Sequence, residues 1–278
     1  MKPKIGIMQG RLSEKIGNNI QYFPKSSWKE EFKKADELGF NTIEWIFDST
    51  ENPLYNSDGR SEILKSKMKY NLKINSICAD YFMKEKLFAT SEINMAKNVE
   101  ILNKLIDSAA KLEIPLIEIP FVDSSSLKTS EDKKQLKNNL EKIFSNAEQN
   151  NVDIAIETDL NPNDFNDYLN EINHPKLFAN FDSGNSASLG FDPNQELKIL
   201  QKWIRNIHIK DREYAGSSVP LGNGAVNFDL IFSNLKQNNY HGDLIIQGSR
   251  ILEETISPSE TCLTYLRFVD GYLNKYYR

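Results

Sequence analysis

The sequence predicts a closed (β/α)8 TIM barrel formed as a single domain over residues 1–278. Three observations predict it. Eight short runs rich in Ile, Val or Phe recur along the chain, each is followed by a stretch of helical period, and no Gly/Ser/Pro-rich linker divides the whole. Strands with few polar interruptions are those buried on both faces, and their alternation with helices is the pattern of a parallel sheet covered by helices. An open doubly wound sheet is the competing arrangement. That fold usually carries a glycine-rich turn after its first strand, and Gln9-Gly-Arg-Leu12 lacks G-x-G-x-x-G, so dinucleotide binding is not supported.

The elements follow in order. Lys4–Gln9 reads as the first strand. Ser27-Trp-Lys-Glu30 has the spacing of a capping box, Phe32, Ala35 and Leu38 continue at helical spacing, and Gly39 stops the helix. Thr42–Phe47 is the second strand, Ser61–Tyr70 a weaker helix and Lys73–Ala79 the third strand. Glu92–Leu112 sets Ile93, Ala96, Leu102, Leu105, Ile106 and Ala109 on an apolar stripe, and strand Ile114–Ile119 follows. Leu136, Leu140, Ile143, Phe144 and Ala147 mark the next helix, ahead of strand Val152–Glu157. Helix Pro162–Ile172, strand Leu177–Asp182, helix Pro193–Trp203 and strand Ile204–Ile209 come next, then helix Phe228–Gln237 and strand Asp243–Gln247. Ser257-Pro-Ser-Glu260 joins an N-cap, a proline at the first helical position and a glutamate at the third, opening a last helix expected to bury Leu263, Leu266 and Val269.

Composition narrows the function. Lys and Arg total 34 against 39 Asp and Glu, a formal charge of −5, which argues against a nucleic-acid surface needing clustered surplus cation. Cys78 and Cys262 are the only cysteines and form neither a disulfide framework nor a CxxC site. No apolar run reaches the ~18–20 residues of a membrane span, and the first residues do not read as a signal peptide. The expected setting is therefore cytoplasmic, with neither membrane nor nucleic acid as partner.

Barrel chemistry sits at the C-terminal ends of the strands. The polar residues there are Gln9, Arg11, Glu44, Asp48, Asp80, Glu118, Glu157, Asp182, Asn185, His208, Lys210, Asp211, Arg212, Gln247 and Arg250. The fifth to eighth strands end in Glu157, Asp182, His208 and Gln247, and adjacent strand ends point toward a common centre. Carboxylate and amide oxygens with one imidazole suit a divalent Mn, Mg or Co ion, and Zn is also accommodated. Taken singly, each of these residues is more often structural: a carboxylate at a strand exit commonly caps a helix, and a lone histidine is commonly a hydrogen-bonded core group. His174 and His241 read as surface residues, Cys78 as a buried inert thiol, and Trp28 and Trp203 as core.

These residues resemble the sugar phosphate isomerase/epimerase superfamily of xylose isomerase-like barrels, with L-ribulose-5-phosphate 3-epimerases and hexulose-6-phosphate isomerase-like proteins nearest in pattern. The resemblance covers nearly the whole chain. Its most specific parts are Ala155-Ile-Glu157, Phe181-Asp-Ser-Gly-Asn185, Ile207-His-Ile-Lys-Asp211 and the loop Leu221-Gly-Asn-Gly-Ala-Val-Asn-Phe228. It implies a metal held by Glu157, Asp182 and His208, a small sugar or sugar phosphate as substrate, and an enediolate formed with Glu157 as base. Where the family commonly has a glutamate as fourth ligand, this chain has Gln247, which carries no charge and accepts no proton at neutral pH. The two-base device of the family's ketose 3-epimerases is thereby incomplete. Glu118, Glu44, Asp80 and Lys210 are the replacement candidates for the second face, and Asn185, Arg11, Glu44, Glu118, Asp211 and Arg212 are expected to contact substrate. Arg250 is the expected phosphate clamp, unless it pairs instead with Glu253 or Glu254. A non-catalytic or metal-independent sugar-binding barrel, and a sugar or polyol dehydratase, are the alternatives. The family's histidine-rich multi-zinc endonuclease does not match a chain with three histidines. Pairing of barrels into a homo-oligomer through their helices stays open.

Overall fold

A computed structural model describes residues 2–17, 20–250 and 256–277. Eight parallel strands close into a barrel in sequence order, the first pairing with both the second and the eighth. They are β1 (Ile5–Met8), β2 (Thr42–Ile46), β3 (Lys73–Cys78), β4 (Leu116–Phe121), β5 (Asp153–Thr158), β6 (Leu177–Asp182), β7 (Ile204–Ile209) and β8 (Leu244–Ile246). The closed (β/α)8 architecture is the one the sequence predicts.

The helices are α1 (Trp28–Leu38), α2 (Ser57–Lys69), α3 (Tyr81–Lys84), α4 (Glu92–Lys111), α5 (Ser130–Gln149), α6 (Pro162–Ile172), α7 (Ser183–Ser188), α8 (Pro193–Ile199), α9 (Phe228–Gln237) and α10 (Pro258–Tyr276). No helix among the described residues is long and apolar enough to cross a membrane. Strands β2 and β4 are buried at every position, which explains their near-continuous apolar sequence. On the outer side of β2, Trp45 packs on Phe23, Trp28 and Phe32 with ring centroids 5.3–6.4 Å apart, and its indole N–H donates to Asn52 Oδ1 at 2.9 Å. Trp28 and Trp203 are core residues.

Local chemistry departs from the sequence reading at several places. Ser27 stands at the N-cap of α1 but makes no side-chain cap bond, because its hydroxyl is paired with that of Ser13 at 2.8 Å. Gly39 does close α1, with φ 87°, where a side chain would be strained. Ile93 is 82% exposed rather than part of the α4 stripe. Ser257 and Glu260 form the expected capping box, yet α10 buries Cys262, Tyr265, Val269 and Leu273, while Leu263 and Leu266 are only half-buried. Helix α8 ends at Ile199, short of Trp203. His174 is half-buried and stacks on Phe144, centroids 3.9 Å apart.

Two buried carboxyls make stability depend on pH. Burial pushes Glu31 on α1 and Glu196 on α8 up to about 7, against the hydrogen bonds each accepts. A folded-state pKa above the unfolded value of 4.5 gives stability that is complete below pH ~4.5 and lost as pH rises through ~7, on the order of 3 kcal/mol per group. Glu196 is bonded by the Ser186 hydroxyl alone, which an amide can replace. Glu196→Gln is therefore expected to flatten the fall in melting temperature between pH 5 and 8. A fall as steep as in the parent protein excludes Glu196 as its source.

Candidate active site

The side chains of Glu118, Glu157, Asp182, His208 and Gln247 line one cavity of about 540 Å³ at the mouth of the barrel. They come from five successive strands: Glu118 from within β4, Glu157, Asp182 and His208 from the ends of β5, β6 and β7, and Gln247 from the residue just beyond β8. One donor atom each of Glu157, Asp182 and His208 lies within 4.8 Å of the others, and all three residues are buried. Strand pairing sets Asp182 opposite His208 in the β6–β7 register, and β5, which carries Glu157, pairs with β6.

Each side chain is held from behind. Glu157 accepts from Asn185 Nδ2 at one oxygen and Asn180 Nδ2 at the other, both at 2.6 Å. Asp182 does two jobs at once. Its Oδ1 caps α7 by accepting from the backbone N–H of Gly184 and Asn185 at 2.9 and 2.8 Å, while Oδ2 is buried with no hydrogen-bond partner. Gly184 is needed here, since a Cβ would come within 2.8 Å of the Lys210 side chain. His208 turns Nδ1 toward Glu157 Oε2 at 3.6 Å, and its Nε2 meets Glu44 Oε1 at 2.6 Å. Asn206 Nδ2 and the Ser76 hydroxyl both donate to the other Glu44 oxygen. A histidine with one nitrogen on a carboxylate and the other facing acidic groups has its ring direction fixed in the way metal-binding histidines do.

Charge is arranged accordingly. Burial opposes ionisation of Glu157, but the neighbouring His208 and the Lys210 ammonium outweigh it, and its pKa lies below the ordinary carboxylate value. For His208, burial is outweighed by Glu44 foremost, and its pKa lies well above the ordinary imidazole value. Burial pushes Asp182 up and Glu118 far up. Both oxygens of Glu118 lack a partner, as does Gln247 Oε1.

The donor set fits a divalent cation. Two buried oxygens without a hydrogen bond, Asp182 Oδ2 and Gln247 Oε1, belong to residues that line the same cavity as Glu157 and His208, and hard oxygens plus one nitrogen match Mn²⁺, Mg²⁺, Co²⁺ or Zn²⁺.

Other expected residues fall in different places. Lys210, Asn185, Arg212 and Arg11 line the cavity. Lys210 Nζ and Arg212 Nη1 both donate to Asn185 Oδ1, at 3.1 and 2.9 Å. Glu44 does not line it; wholly buried, it is spent on His208, Asn206 and Ser76. Asp211, expected at the substrate, is also wholly buried and instead accepts from the backbone N–H of Gly222, Gly224 and Val226. The Gly-Asn-Gly loop is thus a clasp around Asp211. Arg250 lines a second cavity of about 310 Å³ between β1, β8 and α10, shared with Arg11. Its alternative partners Glu253 and Glu254 lie outside the described residues. Cys78 is buried, with its thiol on Asp80 Oδ1 at 3.3 Å.

Asn180, Asn206, Ser76 and Gln21 escaped the sequence reading. Asn180 and Asn206 stand two residues before Asp182 and His208 on the same strand faces, a spacing that would have found them. Gln21, on a loop without periodicity, gave no such signal.

The family model for the xylose isomerase-like TIM barrel matches residues 32–256. The chain belongs to this family. Among curated relatives of this xylose isomerase-like barrel, L-ribulose-5-phosphate 3-epimerase UlaE of Escherichia coli (strain SMS-3-5 / SECEC) is 25% identical over 231 residues, covering 79% of this chain and 81% of that protein. Among solved structures, an L-ribulose 3-epimerase superposes with a TM-score of 0.80 at 17% identity, covering 99% of this chain and 96% of that one. The IOLI protein with a bound zinc atom gives 0.79 at 17% identity, over 98% and 99% of the two chains. At these identities the structural likeness speaks for the fold.

Proposed function

We propose that this xylose isomerase-like barrel is a divalent-metal-dependent isomerase or epimerase of a small sugar or sugar phosphate, acting through an enediolate with Glu157 as base. The observation that carries the reading is the convergence of Glu157, Asp182 and His208 within 4.8 Å, in a cavity that also holds unpartnered buried oxygens. The curated relatives named as 3-epimerases support the substrate class.

Glu157, Asp182, His208 and Gln247 would hold a divalent ion, which when bound would supply Lewis acidity toward a substrate carbonyl. The remaining work falls to the chain. Glu157 is ionised, aligned by Asn180 and Asn185, and takes the proton from the carbon next to the carbonyl. Lys210, 3.6 Å from Asp182 Oδ2, is placed to meet a substrate oxygen as negative charge develops on it. Returning the proton on the same face is aldose–ketose isomerisation, which needs one base. Epimerisation needs a group on the other face. Of the candidates, Glu44 is occupied beneath His208 and Asp80 is bonded by Gln21 and Cys78, whereas Glu118 lines the cavity with both oxygens free.

The test is a panel of sugars and sugar phosphates in D₂O with Mn²⁺. Deuterium at C1 or C2 with aldose formation supports isomerisation, and deuterium at C3 with an inverted product supports epimerisation. Sugar binding without exchange into any carbon rejects the catalytic reading in favour of a binding barrel.

Arg250 and Arg11 both donate to the Ile20 carbonyl, at 3.1 and 3.2 Å, and Arg250 Nη2 is buried without a partner. This pair is suited to a phosphate. Arg250→Ala is expected to raise KM for a phosphorylated sugar by about 10- to 100-fold, from the ~1.5–3 kcal/mol of a charged hydrogen bond, with KM for its unphosphorylated counterpart unchanged. An equal rise for both removes Arg250 from phosphate recognition.

A further inference from the structure

Gln247 stands just beyond β8 and lines the cavity of Glu157, Asp182 and His208 with an amide rather than a carboxylate, and the groups behind it fix which atom of that amide is left for the cavity. The two ends of a glutamine amide have nearly the same shape, so hydrogen-bond partners decide its orientation. Gln247 Nε2 donates to Gln21 Oε1 at 2.8 Å. Gln21 is itself fixed from two sides. Its Oε1 also accepts from Arg11 Nη2 at 3.2 Å, and its Nε2 donates to Asp80 Oδ2 at 2.7 Å. A guanidinium only donates, so the Gln21 atom beside Arg11 is oxygen. Asp80 accepts from Cys78 Sγ at its other oxygen, so the Gln21 atom beside Asp80 is the nitrogen. With Gln21 set this way, Gln247 must turn its NH₂ toward Gln21. Its Oε1 is then left buried without a partner in the cavity of Glu157, Asp182 and His208.

We infer that Gln21 is a positioning residue, which by holding the Gln247 amide nitrogen presents Gln247 Oε1 to the cation as a neutral oxygen ligand. The inference rests on the cation site proposed above and goes beyond it, since it assigns a role to a loop residue outside the ligand set. It also gives the amide at position 247 a structural logic. A carboxylate offers oxygen in either orientation and needs no such partner, whereas an amide offers oxygen in only one.

The test measures Mn²⁺ binding directly, by titration followed by electron paramagnetic resonance, with no sugar present. Gln21→Met keeps the length of the side chain and removes its hydrogen bonds to Gln247, Arg11 and Asp80, and is expected to weaken Mn²⁺ binding about tenfold, as loss of groups that orient ligands commonly does. In a Gln247→Glu background the same Gln21→Met change is expected to leave binding unchanged or tighter. Equal weakening by Gln21→Met in both backgrounds overturns the inference and assigns Gln21 a general structural role. Unchanged Mn²⁺ affinity in Gln21→Met with a raised KM for sugar overturns it in favour of Gln247 as an acceptor for a substrate hydroxyl. Absence of Mn²⁺ binding by the parent protein overturns both the inference and the cation site, whereas parent binding insensitive to Gln21 overturns the inference alone.

Discussion

Glu157→Gln is expected to lose proton exchange into substrate by at least about a thousandfold, within the 10²–10⁴ range over which a positioned base acts together with the charge it brings. The substitution keeps length and volume but removes the lone pair that takes the proton. It also strains the local bonding, because Asn180 and Asn185 each donate to one oxygen of Glu157, and an amide offers only one acceptor to two donors. Deuterium incorporation measured by NMR at saturating Mn²⁺ separates loss of the base from loss of the ion. Full exchange in the variant excludes Glu157 as the base.

Glu44→Gln is expected to weaken Mn²⁺ binding by about 10- to 100-fold although Glu44 does not line the cavity, the range seen when a carboxylate orienting a ligand histidine is altered. Its two oxygens accept from His208, Asn206 and Ser76. A glutamine must turn its NH₂ toward one set of donors, leaving the ring of His208 unheld or the Asn206 and Ser76 groups unpaired. A loss of stability of about 1–3 kcal/mol should accompany this. Titration with Mn²⁺ alongside a thermal melt checks both, and unchanged affinity refutes the assignment of Glu44 as the group that aims His208.

The barrel was legible because its signal is repeated: each buried strand is an apolar run, and eight of them alternate with helices. The gathering of Glu157, Asp182 and His208 was legible for the same reason, since fold class turns them from scattered residues into neighbours. What the sequence withheld depended on side-chain direction. Glu44 stands in the middle of β2 and Asp211 two residues past β7, and each is turned to partners outside the cavity. Ser27 fits the capping pattern, but its hydroxyl has a partner on the β1 loop. The α10 stripe is displaced by one position, from Leu263 and Leu266 to Cys262 and Tyr265, because several adjacent faces of that helix are apolar enough to compete. Gln21 reaches the site from a loop, where no periodicity links it to Gln247.

The clasp on Asp211 divides the connection between β7 and α9 into two parts with different tolerance for change. Gly222, Gly224 and Val226 anchor its root to a buried carboxylate, while Ser217 and Ser218 border the cavity from its tip. Diversity introduced at those two serines can alter which ligand is accepted without loosening the scaffold, so a library aimed at new substrates belongs there and should leave the glycines untouched.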